Sequence, residues 1–194
     1  DVWDLAFTPH QKFLFLRRMV PPDEWNECLR ELLAQSPNLE GLGPAEKEEL
    51  LQIWHSRGNR DQLINEIQRR TTWQEFGWRF LAEDLAAKSQ FKEAYELVMK
   101  WLPQTTPPNL SPNSDLDSLE RSFVFSPTDP RTGMELYWTQ MKLGLYEEAL
   151  VTLKKLEGLP QAPTYLPQEL AAVYAAMGDY RQAWESVRKA AQNL

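Results

Sequence analysis

The chain is poor in the groups that carry covalent and metal chemistry. Its 194 residues include one cysteine, Cys28, and two histidines, His10 and His55. A single thiol forms no internal disulfide and builds no thiolate metal site. Its setting in Trp25-Asn26-Glu27-Cys28-Leu29, on the apolar side of an expected helix, reads as a buried structural thiol and leaves the redox compartment open. The histidines lack the His-Glu-x-x-His spacing of zinc enzymes, and no Gly-rich phosphate loop or Gly-x-Ser-x-Gly elbow occurs. Long apolar runs are also missing, none approaching the roughly 20 residues a membrane-spanning helix needs. Basic charge is short as well: 21 Lys and Arg face 28 Asp and Glu, for a net charge of −7. The cations are scattered, densest at Arg17-Arg18 and Arg69-Arg70. Nucleic-acid binding needs a concentrated basic face, so this distribution argues against it.

What is abundant is aromatic and amphipathic. Eight Trp and 42% hydrophobic residues stand in a chain whose mean hydropathy is −0.55, the balance of amphipathic helices anchored by aromatics. A chain of this length buries roughly 70% of the surface its unfolded form exposes, enough for a core without staples. It opens on Asp1-Val2-Trp3 with no basic-then-apolar leader pattern, and is expected to be a mature product or a piece of something larger.

Two segments overlay at a fixed step. Gly144-Leu145-Tyr146-Glu147-Glu148-Ala149 and Gly178-Asp179-Tyr180-Arg181-Gln182-Ala183 stand 34 residues apart, a period of stacked helical hairpins. Each glycine falls where one helix ends and another begins within about two residues, a turn that needs left-handed backbone. Ala149 and Ala183 are small because two helices are expected to cross there. The same frame recurs at Ser89-Gln90-Phe91-Lys92-Glu93-Ala94, with Ser for Gly, and more loosely at Gly58-Asn59-Arg60-Asp61-Gln62-Leu63. Ahead of the last turn stand Leu170, Ala171 and Tyr174; ahead of the one before it stand Leu136, Tyr137 and Gln140, so Tyr137 fills a small position and Gln140 an aromatic one.

Gly-x-Tyr-x-x-Ala at this period resembles the tetratricopeptide (TPR) repeat, over residues 44 to 102 and 130 to 194. The resemblance implies an all-α, right-handed α-solenoid of TPR-like hairpins, preceded here by an extra N-terminal helical hairpin that covers the apolar end of the stack. The organisation expected is residues 1–43 as that hairpin, 44–102 as repeats with the first degenerate, 103–129 as a Pro-rich loop insertion, and 130–194 as two further repeats. Within the first part, Thr8-Pro9 opens a helix continuing to Val20, Pro21-Pro22 stops it, and a second runs from Asp23 to about Gln35. Another begins at Thr71-Thr72-Trp73. Prolines 107, 108, 112 and 127 exclude a long helix in the insertion. The stretch from Gln104 to Ser118 is expected to be mobile, while the apolar Leu119 to Phe125 folds back onto the repeats.

No catalytic constellation emerges. Asp115 and Asp117 have calcium-loop spacing but no turn glycine or closing Glu, and the adjacent Glu147 and Glu148 diverge by about 100° on a helix, suiting its positive end better than acid/base work. The chain therefore reads as not an enzyme, with no metal and no cofactor. Function falls to the concave face that TPR-like inner helices line. The resemblance places there Gln52 and His55; Phe76, Arg79 and Glu83; Met134, Trp138, Met141 and Lys142; and Tyr165 and Gln168. Trp138 with its two methionines forms an adaptable apolar strip suited to a protein or peptide partner, unless the insertion or terminal hairpin covers it and makes it core. The Lys and Asn that clamp a C-terminal carboxylate in chaperone-binding TPR domains are missing, since Glu48, Gln52, Arg79, Glu83 and Trp138 occupy those places. The implied role is a non-catalytic binding scaffold. The alternative is an accessory extramembrane or regulatory domain of a larger enzyme or membrane protein. A free-standing helical hydrolase would instead require an enclosed polar pocket.

Overall fold

A computed structural model describes residues 7–18, 21–105 and 115–193. Among these the chain is all-α, built of helical hairpins, with no strand. The helices are α1 (Pro9–Arg17), α2 (Pro22–Gln35), α3 (Pro44–Arg57), α4 (Arg60–Arg69), α5 (Gln74–Ala87), α6 (Phe91–Trp101), α7 (Leu116–Phe125), α8 (Pro130–Lys142), α9 (Tyr146–Glu157), α10 (Leu166–Ala176) and α11 (Tyr180–Gln192). None of them is long and apolar enough to cross a membrane. The chain divides into two compact units, Asp1–Asp84 and Leu85–Leu194.

In the first unit, α1 packs on α2 and α3, and α3 on α4. Thr8 caps α1 through its Oγ1, which accepts from the Gln11 amide, while the Gln11 side chain accepts from the Thr8 amide. The helix ends at Arg17, short of the expected Val20, which lies outside the described residues. Phe13, Leu16, Trp25, Cys28, Leu29 and Leu32 form the buried seam of the α1–α2 hairpin. Trp25 donates its indole N–H to the Leu16 carbonyl at 3.1 Å. Burial pushes the Cys28 thiol up to about 11, against the opposing influence of Lys12, so the thiol is protonated at neutral pH and inert. Thr71–Trp73 forms a single 3-10 turn before α5, and Trp73 meets Trp54 edge-on with ring centres 6.1 Å apart.

In the second unit, α8 pairs with α9, α9 with α10, and α10 with α11, while α6 packs on α11 and α7 on α8. The expected turns acquire a common geometry. Gly144, Gly178 and Ser89 all have positive φ, at 76°, 81° and 60°. In each turn two amides return to the preceding helix in the same way: Leu145 to Gln140 and Gly144 to Met141; Asp179 to Tyr174 and Gly178 to Ala175; Gln90 to Leu85 and Ser89 to Ala86. This is a Schellman cap formed three times. Ala94, Ala149 and Ala183, five residues beyond, are fully buried.

The looser copy at Gly58 differs. Its φ is −100°, and glycine is needed there for space, because a Cβ would lie 2.6 Å from Trp54 Cδ1 and 2.8 Å from Trp25 Cζ3. Within the insertion, residues 106–114 lie outside the described set, and with them most of the stretch expected to be mobile. Asp115 caps α7, its carboxylate accepting from the Ser118 amide at 2.6 Å. That helix buries Leu119 and Phe123 in one core with Met134, Leu136, Tyr137, Leu153, Leu156 and Leu170.

Candidate functional site

The residues expected to line a groove fall in both units. In the first, Gln52 and Glu83 are exposed. His55 is half-buried, its ring 5.3 Å from that of Phe80; burial first, and Arg60 second, hold its pKa below the usual histidine value and favour the neutral ring. Phe76 is half-buried with Lys47 Nζ 5.6 Å above its ring. Arg79 is exposed, stacked 4.6 Å over Trp78 and 3.8 Å from Glu48. These contacts tie the Lys47 and Arg79 cations to aromatic faces.

In the second unit the α8 residues separate by depth. Met134 is 4% exposed and belongs to the core. Trp138 and Met141 are half-buried and pack against that core from its edge, and Lys142 is exposed. The Trp138 ring lies 5.1 Å from that of Tyr137, and its indole nitrogen is buried without a hydrogen-bond partner. A one-turn spacing along α8 therefore produces a gradient from interior to solvent rather than a single exposed strip.

Tyr165 and Gln168 come together at the start of α10. They line a cleft of about 360 Å3 with Leu102, Pro103, Gln104 and Thr105 from the end of α6 onward, and Ala190 of α11. Tyr165 is 38% exposed. Gln168 is buried and donates its amide to the Pro103 carbonyl at 3.0 Å, which fixes one wall. Behind it lies a feature the sequence reading missed. Glu169 is 2% exposed, accepting from Tyr137 Oη at 2.7 Å and from Thr105 Oγ1. Burial and the neighbouring Glu169 carboxylate raise the pKa values of both Tyr137 and Tyr165. Tyr95 is raised by burial, then by Tyr180 and Glu169. Tyr137 therefore stays protonated and donates to the carboxylate, and a first-turn position on α10 sets Glu169 at the helix's positive end. The available signal was paired: Tyr137 in a small position, and Glu169 as the one charged residue of an α10 otherwise rich in Leu, Ala and Val.

A second polar pair is buried between α8 and α9, where Thr152 Oγ1 approaches Gln140 Oε1 at 2.7 Å and the Glu148 carbonyl at 3.0 Å. Gln140 thus replaces an aromatic with a hydrogen-bonded amide. Among the described residues no group of three or more His, Cys, Asp or Glu side chains is placed to hold a metal ion.

No protein-family model matches the sequence, and no curated protein matches it. Two solved structures, described as crystal structures of MamA protein and of MamA, are similar to it at 12% identity and a TM-score of 0.37. The similarity covers 88% of this chain and 81% or 87% of theirs. At that overlap it carries no inference about activity.

Proposed function

We propose that the protein is a non-catalytic scaffold that binds a protein or peptide segment on the faces of TPR-like hairpins. The observation that supports this best is the cleft at the end of α6 and the start of α10. It presents the phenol of Tyr165 beside polar groups already fixed by internal hydrogen bonds, the usual make-up of an anchoring pocket. Trp138, Met141 and Lys142 offer a second, shallower contact of aromatic, adaptable and cationic character. Phosphate backbones are poor candidates for the partner, given a net charge of −7.

A random displayed peptide library panned on the full chain tests the reading, followed by binding of recovered peptides to Tyr165→Ala and Trp138→Ala. An anchoring aromatic is worth about 2 kcal/mol or more, close to a thirtyfold loss of affinity. Recovered peptides indifferent to both substitutions would move the site elsewhere. An empty pool would remove the proposal.

A further inference from the structure

A different face of the second unit carries a groove that neither the repeat resemblance nor the α10 cleft accounts for. It runs between α7 and α9 with α8 as its floor, encloses about 490 Å3, and is lined by Glu120, Phe123 and Val124, by Leu136 and Gln140, and by one face of α9. The sequence spacing explains its shape. Residues 120, 123 and 124 share a side of α7, 136 and 140 a side of α8, and Glu147, Glu148, Val151, Thr152 and Lys155 a side of α9. The floor is closed: Phe123, Leu136, Gln140 and Thr152 are all buried. The walls carry one solvent-facing valine each, Val124 79% and Val151 54% exposed, among charged side chains. The charges lining it are three carboxylates against one lysine.

We infer that this groove takes a short partner segment with one aliphatic or aromatic anchor flanked by lysine or arginine. Seating the anchor between Val124 and Val151 removes apolar surface from water on both sides of the slot. The flanking cations meet Glu120 on one wall and Glu147 and Glu148 on the other. Placement in the first turn of α9 accounts for the last two on helix grounds alone, but Glu120 sits in the middle of α7 and gains nothing there from the dipole. Within the floor, Gln140 has its carbonyl oxygen engaged by Thr152. That bond leaves both amide hydrogens unused by it, donors suited to a carbonyl of the incoming backbone. A second copy of the chain fits poorly, because a two-fold pairing would set the same carboxylates against each other. Phosphate-bearing surfaces meet the same repulsion.

The test uses the peptide pool recovered from the full chain and counter-screens it on Val151→Glu and on the charge reversal Glu147→Lys with Glu148→Lys. These positions are exposed, so both variants should keep the wild-type helical signal. Val151→Glu should also keep the melting curve, while the charge reversal, which sets two lysines at the positive end of α9, should melt slightly lower. The expected result is a pool enriched in basic residues around one apolar residue, binding at least about thirtyfold more weakly to Val151→Glu. Its affinity should fall with added salt in the wild type and lose that dependence in the charge reversal. A neutral or acidic consensus, or a pool that binds Val151→Glu as well as wild type, overturns the inference. If that indifferent pool is lost on Tyr165→Ala, the α10 cleft is the site and the scaffold reading stands without this groove. A concentration-dependent dimer abolished by Val151→Glu would overturn the inference in favour of a second copy.

Discussion

Gly133 closes the first turn of α8, where glycine costs a helix up to about 1 kcal/mol relative to alanine. The structure supplies the reason for tolerating that cost. A Cβ there would lie 2.5 Å from Leu156 Cδ2 and 2.9 Å from Phe123 Cε2. Neither side chain has solvent into which it can retreat, since Leu156 and Phe123 are both buried. Overpacking of this kind costs about 1–3 kcal/mol. Against the propensity gain, Gly133→Ala should therefore lose about 1 kcal/mol, read as a lower urea midpoint at constant m or a melting point lower by roughly 2–4 °C. Gly158→Ala is the control. Its backbone is right-handed at φ −79°, and a Cβ there meets only the Lys155 carbonyl at 4.0 Å, so it should gain about 0.4–1 kcal/mol through the unfolded state. The clash also predicts coupling. Gly133→Ala combined with Leu156→Ala should be less destabilised than the sum of the single changes. A Gly133→Ala protein stabilised as much as Gly158→Ala, or a strictly additive cycle, would refute the close three-helix packing of α7, α8 and α9.

Ala183→Leu, at a fully buried position of α11, should cost about 1–3 kcal/mol in denaturant titrations; unchanged stability would mean that α10 and α11 do not cross there. Tyr137→Phe removes a 2.7 Å bond to the buried Glu169 and should lower stability by about 1.5–3 kcal/mol, a loss that chemical denaturation would resolve. Cys28, raised to about 11 by burial, should react with a disulfide reagent at pH 8 far more slowly in the native chain than in urea. Glu66 has a lowered pKa because its bonds to Arg69 and Arg70 outweigh desolvation, which acts the other way. Its folded pKa lies below the unfolded one, so the stability it contributes is present above the unfolded value and is lost as pH falls through the folded value. The melting difference between wild type and Glu66→Gln should therefore shrink as the pH falls from about 6 into the acid range.

The turns were legible because their chemistry is local. A glycine, an aromatic two residues on and an alanine three further specify a cap, a helix start and a crossing without reference to distant chain, and Ser89 fits by adopting the same left-handed backbone. Gly58 shares the letters but not the cause, since its restraint comes from the Trp54 ring one helical turn back and from Trp25, a residue remote in sequence. Face assignment along α8 was legible as periodicity. Its depth was not, because which residues meet solvent depends on neighbours such as α7, whose Leu119 and Phe123 share a core with Met134. Glu169 was missed for a related reason. A carboxylate in an apolar helix is costly until its partners are known, and those partners, Tyr137 and Thr105, stand 32 and 64 residues away.

That carboxylate also bears on how a chain of look-alike units is put together in one order. The α8–α9 and α10–α11 hairpins share turn geometry and crossing residues, so backbone shape alone distinguishes them poorly. At the 34-residue step Tyr137 corresponds to Ala171 and Glu135 to Glu169. The hydroxyl therefore belongs to one hairpin and its buried acceptor to the next, and the bond forms only when they are placed in that sequence. A slip of one helical turn, about 5.4 Å, would carry Glu169 past the Tyr137 and Thr105 hydroxyls and leave a buried carboxyl group without partners. The Tyr137–Glu169 bond acts as an address, distinguishing one repeat from its neighbour where apolar packing would accept either.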